Sequence, residues 1–337
     1  MPGAIVIAGA ESQAEKSEQL NSCGSSPRER VQRFLAGVEL LGQSVFGQLV
    51  QRLSHFSFDT MAVFVDSSLA HEIDDLSGMQ VDAADVWRGA ARSLIEAKEA
   101  GVDAVLLAQV GAYVEFDPAD LIRFHRDYGN IVTRACDDRG LLDLWVVDPG
   151  ILQDNIDLRS SLQTAGEPYY QVSRYVNRME TLRDMRQLVA DALSSRCRFR
   201  PQGVEVRPGV WMAEGAEVER GARIVAPAFL GRDAKISEQC LITRCSNIER
   251  NCQIDYGTVV EDSSILSGTY VGIGLDLAHS IADGTCLVNL NRQVALEIKD
   301  PVVMRQVRQN IPRGESNRQL PSNFRHGEAV LSAAEER

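Results

Sequence analysis

Side chains that could carry out chemistry are few in this chain of 337 residues, and they lie far apart. His279, in the segment LDLAHSIADG, has the chemistry of a general base, although a lone surface histidine is the plainer interpretation. The seven cysteines include no CxxC pair, and an odd number in a long acidic chain indicates reduced thiols in the cytosol. Cys245 is expected at a turn with no obvious partner. Any site must therefore be assembled by the elements around such residues.

Composition limits the class of protein. Hydrophobic residues make up 44% of the chain, enough for buried cores, and the net charge of −12 gives no general attraction to nucleic acid or anionic lipid. No run of 18 apolar residues occurs, and residues 1–10 lack the basic start of a signal peptide. We therefore expect a cytoplasmic protein of about two domains, without nucleic-acid or membrane partners.

A six-residue repeat dominates the C-terminal half. Positions 204, 210, 216 and onward to 270 carry Val, Val, Ala, Ala, Ala, Ala, Cys, Ser, Cys, Thr, Ser and Tyr. The positions two residues later carry Val, Met, Val, Ile, Leu, Ile, Ile, Ile, Ile, Val, Leu and Gly. This pattern predicts twelve hexads without insertion or deletion, with Cys240 and Cys252 in the small inward column. The register returns at Val288 and Val294.

Each hexad predicts a very short strand, because residues two apart share one face of a strand. Three hexads would close a triangular coil, and stacked coils would bury both columns. The repeat resembles the hexapeptide-repeat, left-handed parallel β-helix family. It is expected to break at Gly272-Ile273-Gly274, after which LDLAHSIADG leaves the columns as an excursion. Proteins of this family are often acyltransferases with a histidine base, so His279 is the candidate base for that alternative.

The N-terminal half alternates predicted strands and helices. Strands are expected at Ala4–Ala10, Thr60–Ser67, Ala104–Val110, Ile131–Cys136 and Leu142–Val147. Helices are expected over Arg28–Ser54, over Asp82–Ala100, from Pro118 with Asp117 as N-cap, and over Arg183–Ser194 with Thr181 and Asp184 as a capping box. This alternation predicts a parallel sheet with helices on both faces.

The order of an α/β region, a joining helix and hexapeptide coils resembles the sugar-1-phosphate nucleotidylyltransferases, also called NDP-sugar pyrophosphorylases. AIVIAGA is similar to the first strand of that family, and VELLGQSVFGQLVQRL is similar to its helix entry. VLLAQVGAYVEFDPADLIRFHRDYGNIVTRA resembles the central strand and Gly-Asp metal site, YVNRMETLRDMRQLVADAL the closing helix, and TYVGIGLDLAHSIADGTCLVNL the last coil.

This resemblance covers residues 4–300 and implies a domain organisation. A Rossmann-like nucleotidyltransferase α/β domain is expected at residues 1–178, a linker helix at 179–200, and a left-handed parallel β-helix at 201–300. Residues 301–337 are expected to form a C-terminal helix or flexible tail, and residues 11–27 a loose loop.

Family members join a nucleoside triphosphate to a sugar 1-phosphate with release of pyrophosphate. The resemblance implies a glycine-rich phosphate loop, a carboxylate that holds Mg²⁺, and a lysine that holds the sugar phosphate. Here Ala8-Gly9-Ala10 is followed by Glu11-Ser12-Gln13-Ala14-Glu15, and Lys16 is best explained as solvated surface. No phosphate-binding lysine is found between Val147 and Tyr175.

The expected metal site also departs from the family pattern. It corresponds to Gly111-Ala112, and alanine cannot ligate a metal. Nearby, Asp117 is expected to cap a helix and Glu115 to face solvent. Because the phosphate loop, the metal ligand and the lysine are all missing, pyrophosphorylase chemistry is expected to be lost or severely reduced.

We therefore expect a nucleotidylyltransferase-family protein of sugar-nucleotide or polysaccharide metabolism, with a regulatory or sugar-nucleotide-binding role. The nucleotide or sugar cleft is expected at Ala8, Gly9, Ala10, Gly111 and Tyr113, without a metal ligand and with no assigned catalytic residue. No cofactor is expected, or Mg²⁺ if the protein is active. The expected partners are a sugar nucleotide or sugar phosphate, and a homo- or hetero-oligomer with an active homologue.

Two alternatives remain open. The first is an active sugar-1-phosphate nucleotidylyltransferase in which Arg28, Arg30, Arg33 or Arg134 replaces the lost cations. The second is a hexapeptide acyltransferase that uses His279 and binds acetyl-CoA between neighbouring coils.

Overall fold

A computed structural model describes residues 2–8, 35–66, 80–82, 86–151, 158–163 and 166–307. Several predictions fall outside these ranges. They concern Gly9, Ala10, Lys16, Arg28, Arg30, Arg33, the loop at residues 11–27 and residues 308–337 of the predicted C-terminal helix or tail. The described residues belong to one compact unit.

The first half of the described chain is built on a mixed sheet. Its strands are β1 (Pro2–Ala8), β2 (Thr60–Asp66), β3 (Gln80–Asp82), β4 (Ala104–Gln109), β5 (Tyr113–Val114), β6 (Val132–Asp137), β7 (Gly140–Val147), β8 (Tyr170–Gln171) and β9 (Val176–Asn177). Seven of them form one sheet in the order β3-β2-β1-β4-β7-β6-β8, and β5 and β9 form a separate antiparallel ribbon.

Strand direction changes across this sheet. β1 to β4 run parallel, whereas β7 runs antiparallel to β4 and to β6. The prediction of a parallel sheet was therefore wrong beyond β4. The physical reason is the connection between β6 and β7, since Asp138 and Arg139 alone separate the two strands. Two residues can join antiparallel neighbours, but a parallel pair needs a long crossover.

Helices cover both faces of the sheet, as predicted. They are α1 (Val45–Ser54), α2 (Val86–Glu99), α3 (Pro118–Tyr128), α4 (Leu158–Gln163) and α5 (Leu182–Leu193), with 3₁₀ turns at Leu35–Gly37 and Pro149–Ile151. Ala4 and Val6 of β1 share a buried core with α1, α3 and α5, while Ile5 and Ile7 share another with α2 and α4. Alternate residues of β1 thus pack against the helices on opposite faces of the sheet. None of the described helices has the length and apolar character needed to cross a bilayer.

Capping residues explain where the helices begin. Asp117 caps α3 by accepting a hydrogen bond from Ala119 N at 3.0 Å, and Thr181 with Asp184 forms the capping box of α5, both as predicted.

Two predicted helix starts were wrong. Within Arg28–Ser54, residues 40–43 form a tight turn and Ser44 caps α1 through Gly47 N, so the helix begins at Val45. In the second case Asp82 ends β3, and α2 begins at Val86.

The second half of the described chain consists of short strands. They are β10 (Val204–Arg207), β11 (Val210–Met212), β12 (Glu217–Val218), β13 (Arg223–Ile224), β14 (Ala228–Leu230), β15 (Lys235–Ile236), β16 (Leu241–Thr243), β17 (Ser246–Ile248), β18 (Gln253–Ile254), β19 (Val259–Glu261), β20 (Ser264–Ile265), β21 (Thr269–Val271), β22 (Asp276–Ala278), β23 (Ser280–Asp283), β24 (Cys286–Asn289), β25 (Val294–Glu297) and β26 (Met304–Gln306). We call residues 204–307 the coil region.

Successive strands of the coil region enter three sheets in rotation. β11, β14, β17, β20 and β23 share one sheet, β12, β15, β18 and β21 a second, and β13, β16, β19 and β22 a third. Neighbours within each series are parallel, and Val210 pairs with Ala228, eighteen residues further along. The protein is therefore a mixed α/β structure with a C-terminal region of many parallel strands, an arrangement compatible with a β-helix.

The predicted inward columns are buried in the middle of this region. Cys240 and Cys252 are 1% and 0% exposed and lie in the same core cluster as Ile242. The first hexad was predicted wrongly, since Val204 and Val206 are 68% and 49% exposed. Their strand, β10, pairs antiparallel with β11 and covers the end of one sheet instead of forming a coil.

One corner is a residue shorter than the hexad pattern requires. Leu241 pairs with Val259 at a spacing of eighteen, but Val259 pairs with Asp276 at a spacing of seventeen. The prediction of gapless hexads was therefore wrong after residue 261. The missing residue is at the corner of Asp262, where one residue has positive φ, whereas the corresponding corner of the preceding coil uses two, Arg244 and Cys245.

The end of the repeat also differs from the prediction. The segment expected as an excursion continues the coil, because β22 and β23 pair parallel with β19 and β20. Val288 and Val294 do not resume the hexads. They lie in β24 and β25, which form an antiparallel meander after the turn at Gly284 (φ 57°). Residues 304–306, expected in a helix or tail, form β26 against β21.

Candidate functional site

The order of the parallel strands marks one crevice at the edge of the sheet. β2 lies on one side of β1 and β4 on the other, so the chain connections diverge between the carboxyl ends of β1 and β4. Ligands of open α/β sheets bind at such a switch point. Ala8 ends β1 and Gly111 follows β4, and Val110 N donates to Ile7 O at 2.8 Å between them. The structure thus brings predicted site residues Ala8 and Gly111 to the same end of two neighbouring strands, where such a crevice is expected.

The crevice presents backbone and small side chains. Gly111 is exposed, and a Cβ built on it meets no atom within 4 Å. Ala8 is fully buried, and Ala112 is half-buried. A ligand can therefore approach the backbone closely here, but these three residues give it no charged group.

Tyr113, the third described residue of the predicted cleft, is buried. It is 2% exposed, its hydroxyl donates to Glu115 Oε1 at 3.0 Å, and its ring packs edge-on against Phe199. Burial, followed by the charge of Glu115, raises the pKa of Tyr113 far above its ordinary value. Tyr113 therefore supports the floor of the site and does not line its open part.

Glu115 was predicted to face solvent, and this was wrong. It is 7% exposed, and its carboxylate accepts hydrogen bonds from the Tyr113 hydroxyl and from the backbone N–H of Arg198. The reason is the ribbon of β5 and β9, in which Glu115 N donates to Tyr175 O at 2.9 Å and turns the side chain inward. A partner 83 residues away in sequence is invisible to local pattern analysis.

Arg52 is a charged residue of this region that the sequence analysis missed. Its guanidinium lies 4.7 Å from the centre of the Phe116 ring, and Tyr113 and Glu115 are its electrostatic neighbours. Burial lowers the pKa of Arg52, against the effect of those neighbours. Arg52 therefore supplies positive charge beside Glu115.

Arg134, a candidate replacement for the lost cations, makes its contacts with residues of the neighbouring strand β7. Its Nε donates to Leu142 O at 2.8 Å, its Nη2 pairs with Asp143 at 2.9 Å, and its guanidinium covers the ring of Trp145. This geometry assigns Arg134 to the β6–β7 hairpin.

A polar cavity lies beside Glu115, between the start of α3 and the segment after β8. Its volume is about 480 Å³, within the range of small-ligand sites. It is lined by Glu115, Phe116, Asp117, Ala119, Asp120, Arg123, Tyr170, Val172, Ser173 and Arg174. Arg123 pairs with Asp120, and the Tyr170 hydroxyl donates to Asp120 at 2.8 Å. Burial and then Asp120 raise the pKa of Tyr170 to about 12, so it is a neutral donor at physiological pH.

The side chains around Gly111 do not fit a divalent cation. Ala112 has no donor atom, Glu115 is held by two donors, and Asp117 caps α3. Across the part of the chain that the structure describes, no three His, Cys, Asp or Glu side chains are grouped as a metal site. Mg²⁺ requires oxygen ligands, and among the described residues just after Gly111 both carboxylates already accept hydrogen bonds.

A second polar cluster lies at a corner of the coil region. His279 Nδ1 lies 2.6 Å from Asp262 Oδ2, and Asp262 Oδ1 accepts a hydrogen bond from Arg186 of α5 at 3.0 Å. Arg186 also donates to Cys245 O at 2.6 Å. The interpretation of His279 as a lone surface histidine was wrong, because Asp262 orients its ring. With Nδ1 donating to Asp262, Nε2 is left as an acceptor, the arrangement of a general base and its positioning carboxylate.

The sequence missed Asp262 because of the one-residue slip. An eighteen-residue coil places His279 above Glu261, whereas the seventeen-residue coil places it above Asp262. The neighbouring Cys245 does have a contact, since its Sγ lies 3.8 Å from Ser194 Oγ. All described cysteines are free thiols.

No protein-family model matches the sequence, and no curated protein is significantly similar to it.

Proposed function

We propose that this protein is a member of the sugar-1-phosphate nucleotidylyltransferase fold, with a Rossmann-like domain and a left-handed parallel β-helix. In this proposal it binds a sugar nucleotide or sugar phosphate between β1 and β4, and its pyrophosphorylase activity is lost or reduced. The sequence resemblance supports it, as do the strand order β3-β2-β1-β4 and the rotation of coil strands through three sheets.

The observation that carries the proposal is the composition of the crevice. Gly111 is exposed and leaves open space at its backbone, while Glu115 and Asp117, which follow it within six residues, accept structural hydrogen bonds. Binding needs such close approach, but phosphoryl transfer also needs a group that stabilises the developing negative charge. The crevice thus favours recognition over turnover.

A binding protein of this kind has a regulatory role in sugar-nucleotide or polysaccharide metabolism. This protein would act in an assembly with an active homologue. The homologue would supply the catalytic residues that this protein lacks. The ligand would report the supply of the sugar nucleotide to that assembly.

The test is a thermal-shift screen with sugar nucleotides and sugar 1-phosphates, because a ligand that binds the native state raises the melting temperature. We expect at least one sugar nucleotide to raise it. Gly111→Leu fills the open crevice and should abolish the effect. Gly166→Leu is the matched control, since Gly166 is also exposed, with open space at its Cβ. A panel without any shift, or an equal shift in Gly111→Leu, contradicts the proposal.

A turnover assay distinguishes the alternative of an active pyrophosphorylase from the binding proposal. Pyrophosphate release is measured with nucleoside triphosphates, sugar 1-phosphates and Mg²⁺. The binding proposal predicts release no faster than in the buffer control. Pyrophosphate release that depends on Arg28, Arg30 or Arg33 would contradict the binding proposal and support the active enzyme.

A second candidate function, acyl transfer, is favoured by the contact between Asp262 and His279. An oriented imidazole can remove the proton from an acceptor hydroxyl or amine as it attacks a thioester. The candidate predicts that the protein binds acetyl-CoA in calorimetry. It also predicts that His279→Ala abolishes release of free CoA with hydroxyl or amine acceptors, whereas His55→Ala, at an exposed histidine after α1, has no effect. Absence of acetyl-CoA binding eliminates it.

A further inference from the structure

Arg52 lies in the last turn of α1 and is a cation that neither proposed function uses. Its Nε is buried without a hydrogen-bond partner, and its guanidinium packs 4.7 Å from the centre of the Phe116 ring. Over the described ranges its side chain forms no ion pair and no hydrogen bond. Arg52 as a whole is half-buried, so part of the side chain can be reached from solvent.

Other arginines that are withdrawn from solvent have a carboxylate partner. An ion pair with an aspartate or glutamate is formed by Arg134, Arg178, Arg186 and Arg250. A partly buried cation without such a partner loses hydration and gains no ion pair in exchange, which costs free energy. Arg52 thus has the character of an anion-binding residue.

A second arginine is held beside the same group. The backbone N–H of Arg198 donates to the carboxylate of Glu115, which directly precedes Phe116. The side chain of Arg198 is exposed, and it makes no hydrogen bond or ion pair with the part of the chain that the structure describes. The fold therefore fixes the backbone of Arg198 near Arg52 and leaves its guanidinium available to a ligand.

The two arginines are not neutralised by the acid between them. Burial lowers the pKa of Arg52, and Arg198 lowers it further, against the opposing effects of Tyr113 and Glu115. A guanidinium still remains protonated at physiological pH. Glu115 offsets only one of the two positive charges, and its carboxylate already accepts hydrogen bonds from the Tyr113 hydroxyl and the Arg198 N–H. An excess of positive charge is left at this place.

We propose that Arg52 and Arg198 bind a phosphate group, free or on a small ester, at the junction of α1 with the segment between α5 and β10. A guanidinium presents parallel N–H donors that fit pairs of phosphate oxygens, and one phosphate has enough oxygens and charge for two arginines. The ring of Phe116 holds Arg52 in place. Bound phosphate would link the α/β half to the segment that leads into the coil region. This site is separate from the crevice at Gly111 and does not depend on it.

Calorimetric titration of the full chain tests the proposal, with inorganic phosphate, glycerol 3-phosphate and glycerol as probes at an ionic strength held constant with potassium chloride. We expect inorganic phosphate to bind and glycerol not to bind, because the arginines contact phosphate oxygens. The ester identifies the source of the phosphate. Ester binding at least as tight as that of inorganic phosphate supports an ester ligand, and weaker ester binding supports the free ion. Absence of phosphate binding overturns the proposal.

Variants locate the bound phosphate. Arg52→Met keeps an apolar chain against Phe116 but removes the charge, and Arg198→Met removes the exposed cation. Each should weaken phosphate binding at least about tenfold, the loss expected when a charged hydrogen-bond donor is removed. Arg220→Met, at an exposed arginine of the coil region, is the matched control and should bind phosphate as the unaltered protein does.

Equal phosphate binding in Arg52→Met and Arg220→Met contradicts the proposed site. Gly111→Leu should also leave phosphate binding unchanged, since it fills only the crevice. Loss of phosphate binding in Gly111→Leu would place the phosphate in the crevice and overturn the separate site. If Arg52→Met does not fold, Arg198→Met decides the question, because its side chain is exposed.

Discussion

The buried guanidinium of Arg186 depends on one carboxylate. Its side chain is 6% exposed, and Asp262 lies 3.0 Å from Nη2. Burial lowers the pKa of Arg186, while Asp262 opposes this by favouring the charge. Asp262→Asn keeps the shape of the corner but leaves the cation with carbonyl acceptors, of which Cys245 O lies closest at 2.6 Å. The charge of Arg186 is then buried without compensation.

The expected loss of stability follows from that burial. Removing one partner of a buried ion pair typically costs about 3–5 kcal/mol. Because Asp262 is 37% exposed, water screens part of the interaction, and we expect a loss of about 2–3 kcal/mol in the free energy of unfolding. The adjacent pair is the matched control. Arg244 and Glu261 lie 2.8 Å apart but are 69% and 31% exposed, so Glu261→Gln should cost about 0–1 kcal/mol.

Urea unfolding at pH 7 provides the assay. Arg186→Met is measured with Asp262→Asn and with the double variant, which removes the buried charge together with its partner. We expect the double variant to lose less stability than the sum of the single variants. His279→Ala, measured alongside, gives the share that belongs to the histidine. The reasoning is refuted if Asp262→Asn costs no more than Glu261→Gln, or if the two single losses simply add.

Other consequences concern the coil core, the turn and the crevice. Ile242→Ala should lower the free energy of unfolding by about 2–5 kcal/mol, because Ile242 is 0% exposed, whereas Val225→Ala, outside the inward columns and at 40% exposure, should change it by about 0.5 kcal/mol or less; equal losses in urea contradict the inward column. Gly42→Ala should cost more than about 1 kcal/mol, since its φ is +83° and Gln202 fills the space; an unchanged urea midpoint argues against the fitted turn. Ala112→Asp should make the thermal shift produced by a nucleoside triphosphate depend on Mg²⁺; no dependence contradicts the assignment of this position.

Local signals in the sequence were sufficient for much of the fold. The central strands β1, β2 and β4 and the capping residues Asp117 and Thr181 were predicted because each depends on neighbours within a few residues. The six-residue repeat was equally visible over residues 224–260, where the inward residues are buried, whereas Val218, predicted to point inward, is 36% exposed.

The register slip is ambiguous at the hexad where it occurs, because Ser263 and Ser264 are both small and Ile265 and Leu266 are both apolar. The available signal lay one hexad later, where Thr269 and Val271 fit the inward columns better than Tyr270 and Gly272. The structure settles the choice by stacking, since Ser263 N donates to Ser246 Oγ at 3.1 Å, a spacing of seventeen. The Asp262–His279 pair was missed for that reason.

The sequence also did not predict which acidic side chains are buried by contacts with distant segments. Glu115 and Glu249 both appear in the sequence as ordinary charged residues. They become buried because backbone donors from distant segments reach them, from Arg198 in the first case and from Leu41 and Gly42 in the second. Periodicity predicts which face of an element is apolar, but it does not predict which polar side chain a remote turn will contact.

The central claim is that the crevice between β1 and β4 binds a sugar nucleotide without a metal anchor. Calorimetric titration of sugar nucleotides in EDTA and then in Mg²⁺ tests it most directly. The account predicts binding in EDTA with an affinity that changes less than about twofold on addition of Mg²⁺, because a factor of two corresponds to only about 0.4 kcal/mol. Binding that appears only with Mg²⁺ would mean that this chain's own acids seat a metal beside Gly111, and it would contradict the account.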